Sequence, residues 1–278
     1  MAAAGNKIIS WAADGINFQR IDLPVQAKIE FNKVFHDEIV ILAFTGATWR
    51  SQQNKSSYLE TPECVVVRNA GQIYSAELLD MDGATGSTCR EIHIPQKKIS
   101  ALYDDTEGIL PNINFKNPVI VSTGLVKLLF ATHTLYETTG CTLQASSYLA
   151  SLIGAVAQIT SQQQITAAKR AGKSRSPVII EYLRANFDRK IILEDLAKIC
   201  QINPYVLLRQ FRKDVGVSPH DYLQAYRIYR AKQYLQLGLT YSEVALLCGF
   251  SDQSHFNRQF KKKLGISPGQ YIGNCAVN

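Results

Sequence analysis

Arginine, glutamine and asparagine can each pair with a base edge through two hydrogen bonds, whereas lysine neutralises phosphate without reading sequence. Both kinds of side chain stand on two matching stretches of this chain. Arg209-Gln210-Phe211, Gly216, Ser218-Pro219 and Tyr222 return as Arg258-Gln259-Phe260, Gly265, Ser267-Pro268 and Tyr271 at an offset of 49. Ala197 and Cys200 return as Ala245 and Cys248 at an offset of 48. One residue inserted in a turn accounts for the difference. The repeat implies that one supersecondary unit is present twice.

Each unit reads as a short helix, a turn and a second helix. Small Ala197 and Cys200, and Ala245 and Cys248, let two helices approach closely. Leu207 with Phe211, and Phe256 with Phe260, form the i, i+4 inner faces of the second helices. Those helices open on Asn203-Pro204 and Ser251-Asp252, which are helix-start chemistry. Their outer faces are expected to carry Arg209, Arg212 and Lys213 in one unit, and Arg258, Lys261, Lys262 and Lys263 in the other. Basic second helices are what a major-groove reader needs. The helix expected between the units, about 219–237, would be roughly 28 Å long. Successive major-groove faces lie about 34–36 Å apart. A rod of that length can hold two reading helices on one side of a duplex.

The composition agrees with this division of labour. The chain has 278 residues and a formal charge of +7. Residues 1–172 carry 14 basic and 15 acidic side chains, and residues 173–278 carry 16 and 8, so the polyanion partner belongs to the second part. A 46% hydrophobic and 19% charged composition is that of globular domains and excludes wholesale disorder. No apolar run approaches a membrane span, and Met1–Gly5 are not followed by a secretory core. Six cysteines without a C-x-x-C pair point to reduced thiols and a cytoplasmic protein.

Ahead of the repeat, residues 16–23, 28–35, 38–44, 47–52, 57–60, 64–68, 73–79 and 88–94 are short and rich in β-branched and aromatic residues, with turn-prone groups between them. That pattern predicts a barrel or sandwich. From Val119 the period becomes helical, with Leu125, Leu128, Leu129, Thr132 and Leu135 on one face and Gly140 as a stop. In a second helix, about 143–168, Ala145, Leu149, Leu152, Val156 and Ile159 step by four and three. This seam either pairs with a second chain, through Leu149, Leu152, Val156 and Ile159, or packs on the chain's own barrel. Residues 161–176 lose apolar periodicity, and a linker is expected at 169–176.

From Ala245 to Tyr271, with Gly249, Phe250, Ser254, Phe256, Arg258, Phe260, Lys261, Gly265 and Pro268 between, the sequence follows A-x-x-x-G-F-x-x-x-S-x-F-x-R-x-F-K-x-x-x-G-x-x-P-x-x-Y. Residues 176–272 thereby resemble the AraC-type DNA-binding domain. The resemblance implies an α+β chain: a cupin-like barrel (16–95) with two helices (117–168) as a ligand-binding and dimerisation domain over 1–168, then an all-α double helix-turn-helix domain over 177–278, with units at 193–215 and 240–264. It implies base-facing Tyr205, Leu208, Arg209 and Arg212 in the first reading helix, and Gln253, Ser254, His255, Asn257 and Arg258 in the second. Lys213, Lys261 and Lys262 are assigned to phosphates. The arm before Ile16, with Trp11, is expected to cover the pocket or the DNA-binding half.

The barrel leaves a choice between sensing and catalysis. A metal cupin uses two histidines two residues apart, but position 34 is Val before His36, and Tyr74 stands where a later His would fall. Neither a metal nor another cofactor is expected. The expectation is a small-molecule pocket drawing on Arg20, His36, Glu38, Trp49, Tyr58, Tyr74 and His93. The chain then reads as a transcription regulator acting as a homodimer on double-stranded DNA, with a small-molecule effector and RNA polymerase as partners and no membrane. The alternative is a cupin-like enzyme fused to a DNA-binding module.

Overall fold

The computed structural model describes residues 6–25, 29–54, 56–102, 115, 117–161 and 174–276. Its first part is built from two sheets. The larger has the order β10-β7-β4-β9-β2-β1-β11, and the smaller β3-β8-β5-β6. The strands are β1 (Lys7–Ala13), β2 (Ile16–Leu23), β3 (Glu30–Phe35), β4 (Ile39–Phe44), β5 (Ala47–Gln53), β6 (Ser56–Glu60), β7 (Cys64–Arg68), β8 (Ile73–Met81), β9 (Ser87–Ile94), β10 (Val119–Val121) and β11 (Cys275–Ala276). Pairing is antiparallel except between β1 and β11. The cupin-like barrel therefore takes the form of two facing sheets whose inner side chains share one cavity.

The large sheet is buried on both faces, which explains why β4 and β7 are almost continuously apolar. Val40, Leu42, Phe44 and Val66 point towards the small sheet, and Ile39, Ile41, Ala43, Val65 and Val67 towards two helices. The small sheet is buried on one side only: in β5, Ala47, Trp49, Ser51 and Gln53 are buried while Arg50 and Gln52 are exposed.

The two helices are α2 (Thr123–Thr139) and α3 (Leu143–Ser161), preceded by α1 (Gln96–Leu102). Ser122 caps α2 by accepting from the Leu125 N–H, and Gly140 ends it. The buried side of α2 is Leu125, Leu129, Thr132, His133 and Tyr136, so Leu128 and Leu135 lie at its margin. In α3, Ala145, Leu149, Leu152 and Val156 are buried in the chain's own core, and Ile159 is 37% exposed. This corrects the expected pairing seam. Leu149, Leu152 and Val156 are buried with α2 in this core, which is the second of the two expected arrangements. The expected end of this helix, from 162 to 168, and most of the linker lie outside the described residues.

The arm expected before Ile16 is strand β1, hydrogen-bonded to β2 from Lys7↔Asp22 to Ala13↔Ile16. Its outer edge pairs with β11 from the far end of the chain. The remaining elements are helical: α4 (Ser176–Ala185), α5 (Leu193–Cys200), α6 (Pro204–Val215), α7 (Pro219–Gln236), α8 (Tyr241–Leu247), α9 (Gln253–Leu264) and α10 (Pro268–Asn274). Helices α7 and α9 pack on β3. Among the described residues, no helix is long and apolar enough to cross a membrane.

Candidate nucleic-acid interface and barrel cavity

Helices α5 and α6 form one helix-turn-helix unit, and α8 and α9 the other. The turns match at the backbone: Gln201 has φ +51° and Gly249 has φ +70°. Asn203 Oδ1 accepts from the Tyr205 N–H at 2.9 Å to start α6, and Asp252 Oδ1 accepts from the His255 N–H at 2.7 Å to start α9. Gly216 and Gly265, both left-handed, end these two helices. Leu207 and Phe211, and Phe256 and Phe260, are fully buried. With 100° per residue the opposite faces must look outward.

They do. Tyr205 is 81% exposed, and Arg209, Arg212 and Lys213 are exposed on α6. Gln253, Ser254, Arg258, Lys261 and Lys262 are exposed on α9. Leu208 is half-buried in a crevice with Leu196 and Leu223. His255 is half-buried, edge-on to Phe250 with its Nδ1 3.1 Å from Ser251 Oγ, which ties it to the helix start. Asn257 is half-buried, with Oδ1 shielded from solvent. Lys263, expected on the outer face, is only 6% exposed. It shares the inner face with Phe256 and Phe260, and its Nζ lies 3.4 Å from the Lys33 carbonyl oxygen. Burial outweighs the nearby Asp221 charge and pulls its ammonium down to about 8.

Between the units, α7 runs 18 residues, about 27 Å. Ser218 Oγ accepts from the Asp221 N–H and donates to the Asp221 carboxylate, which closes its first turn. Arg227 anchors its middle, donating to the Phe187 and Arg189 carbonyls at 2.7 Å each.

The second site lies between the sheets. An inner cavity of about 90 Å³ is walled by apolar Leu23, Phe31, Val34, Leu42, Phe44 and Leu264. It adjoins an outer cleft of about 270 Å³ between the barrel and α7, and Gln19, His36 and Lys232 line both. Of the residues expected at a pocket, Trp49 and Tyr74 line the inner cavity, Glu38 and His93 the outer cleft, and His36 both. Arg20 and Tyr58 are corrections. Arg20 alternates with Gln19 on β2 and faces α2, where it pairs with Glu137. Tyr58 lies on the edge strand β6 and lines neither space.

The polar wall of the cavity is largely self-paired. Arg68 binds Glu60 and lies 4.4 Å over the Tyr74 ring. His93 Nε2 is 2.9 Å from Glu91 Oε2, and His36 Nε2 is 3.1 Å from the Tyr74 hydroxyl. Burial, with the His93, Lys232 and Arg68 charges, keeps His36 well below its usual pKa, so it is neutral. Burial opposes ionisation of Glu91, but the His93 hydrogen bond and the His93 and Lys232 charges outweigh it and hold the carboxyl low. Sequence reasoning missed Glu60, Arg68, Glu91 and Lys232. A charged residue ending the apolar run of β7 was a usable signal for Arg68. Lys232 carried none, because it belongs to the other half of the chain.

Two basic helices presented by twin units on one rod define a duplex-reading domain. Residues 196–274 match the family described as a helix-turn-helix domain. Over 95 residues it is 37% identical to the bifunctional transcriptional activator/DNA repair enzyme AdaA of Bacillus subtilis, a match covering 34% of this chain and 45% of that protein. The chain thus spans less than half the length of that relative. The whole architecture is similar to an apo ToxT variant from Vibrio cholerae, with TM-score 0.70, 18% identity, and coverage of 94% and 98% of the two chains. Wild-type ToxT with a bound unsaturated fatty acid gives TM-score 0.67 at 17% identity, covering 96% and 98%.

Proposed function

We propose that this chain is a sequence-specific DNA-binding transcription regulator, an activator of cytoplasmic location, whose barrel senses a small molecule. The observation that carries the reading is the pair of exposed reading faces, Tyr205, Arg209 and Arg212 on α6 and Gln253, Ser254 and Arg258 on α9, held by one rod. Arg209 and Arg258 take guanine edges, Gln253 takes adenine, and Lys213, Lys261 and Lys262 take phosphates. A homodimer and RNA polymerase complete the assembly in this reading.

The effector is an apolar carboxylic acid. Its apolar part extends along the inner cavity and the adjoining outer cleft, and its head meets the Lys232 ammonium where the two adjoin. The bound fatty acid of ToxT belongs to this class. Such a ligand touches α7 and the sheets at once, so it binds different domain placements unequally and shifts their populations. The enzyme alternative is disfavoured because the buried carboxylates Glu60 and Glu91 are engaged by Arg68 and His93.

The test is selection of duplexes from a random pool by the full-length protein, followed by footprinting with and without an unsaturated fatty acid. A shared motif of two subsites about one helical turn apart is expected, with occupancy changed by the fatty acid. Recovery of unrelated sequences overturns the regulator, and fatty-acid-independent occupancy overturns the effector.

A further inference from the structure

We infer that Lys33 is a positioning residue for DNA reading: from the barrel, it holds the two reading helices in one mutual arrangement. The inference rests on the reading of α6 and α9 as duplex readers.

Lys33 sits at an irregularity in β3, where the register with β8 shifts between Phe31 and Val34. Its φ is +53°, a left-handed backbone that a lysine adopts only under constraint. The constraint is visible on three sides. Its N–H donates to Ser75 Oγ at 2.9 Å within the barrel. Its Nζ lies 2.9 Å from Asp221 Oδ1. Its carbonyl oxygen is the group 3.4 Å from Lys263 Nζ.

The two outward contacts reach different units. Asp221 lies in the first turn of α7, five residues past Gly216, the cap of α6. Lys263 lies in the last turn of α9. One barrel residue therefore ties the start of α7, just past the first reading helix, to the end of the second. Neighbours reinforce both ends. Asn54, beyond β5, presses on Gly216, and the backbone of Glu30 lies beside Gly265.

These contacts leave the reading faces open. On α9, Lys263 stands about 180° around the helix from Ser254 and about 140° from Arg258. The chain turns at Gly216 and again at Gly238, where φ is +86° and +83°. Each unit packs on α7 through its own apolar core; the brace adds a link between them through the barrel and narrows the movement left to one unit against the other, so a two-subsite duplex selects from fewer arrangements. A brace lowers the ordering cost before binding, which is preorganisation. The bulge is also next to the sensing cavity, whose wall includes Phe31, Val34 and Leu264.

The test uses the full-length protein and the duplex it selects, compared with the same duplex after one subsite is scrambled. Lys33→Gly suits the left-handed backbone and removes only the side chain. Lys263→Met breaks the second contact while keeping its length. Each variant is expected to lose about three- to fivefold in affinity for the intact duplex. Affinity for the scrambled duplex should not change, and Lys33→Arg should restore tight binding to the intact one. Equal loss on both duplexes, no loss, or a gain overturns the brace. Failure to select any duplex overturns the DNA reading and the brace together.

Discussion

The Arg68 guanidinium and the Glu60 carboxylate form an ion pair with both side chains 3% exposed, in the wall of a cavity that is otherwise mostly apolar. Removing two charges from water costs more than most ion pairs return, but leaving one of them alone costs more still. Glu60→Gln should therefore destabilise the fold by about 3–5 kcal/mol. The double variant Glu60→Leu/Arg68→Met should recover most of that loss. Denaturant midpoints decide it, and a single variant as stable as wild type would contradict the account.

Gly249 carries the turn between α8 and α9. A Cβ built there would sit 2.6 Å from the Asp188 carbonyl oxygen and 2.7 Å from Arg227 Nη2. Gln201, its counterpart in the first unit, adopts the same left-handed backbone with a side chain. The prediction separates the two causes. Gly249→Ala should cost about 2 kcal/mol or more, because strain and a backbone clash add. Gln201→Gly should stabilise slightly. Thermal melts of both variants test this, and the same sign for both would refute it.

Arg258→Ala should weaken the selected duplex by about 1–3 kcal/mol and relax one base position. Lys262→Ala should weaken all duplexes alike and lower the slope of log K against log salt by about one. Binding isotherms at several salt concentrations, on specific and random DNA, distinguish these patterns. A uniform loss from Arg258→Ala would mark it as a backbone contact.

His133 lies on the buried face of α2 towards β2, and its Nε2 donates to the Gln19 carbonyl at 3.0 Å while Nδ1 accepts from Arg90 at 2.8 Å. Burial and the Arg90 charge bring it down to about 4, with Arg20 acting the same way and Glu91 opposing. It is folded neutral and takes its proton more readily when unfolded, near pH 6.5. Stability is therefore full above about pH 6.5 and is lost as pH falls towards 4, by about 3 kcal/mol at most. His36, also held low, acts in the same direction. Urea midpoints from pH 7.5 to 4.5 should fall more steeply for wild type than for His133→Gln. Parallel curves would sink the assignment.

Much of this architecture was legible in the chain because its signals are local. Strands with one solvent face show alternation, as in β5, and helix starts show their caps, as at Asn203 and Asp252. The repeated Arg-Gln-Phe and Gly-x-Ser-Pro positions mark both units, since each must close the same small core. Strand β1 was less legible. Its pairing partners, Ile16–Leu23 and Cys275–Ala276, lie nearby and at the other end of the sequence, and only the second makes the segment an interior strand.

The seam of α3 and the basic run of α9 show where sequence runs out. A step of four and three identifies an apolar face but not what it meets. The fold turns Leu149, Leu152 and Val156 into the chain's own core beside α2. Three consecutive lysines look equivalent in sequence, yet helical rotation places Lys261 and Lys262 in water and Lys263 under β3. The residues alone determined the element types, the doubled unit and the charge division, because period, capping and composition act over a few positions. Only the tertiary structure decided that Lys232 meets the barrel cavity and that Lys33 links α7 to α9, because these contacts join residues about two hundred positions apart.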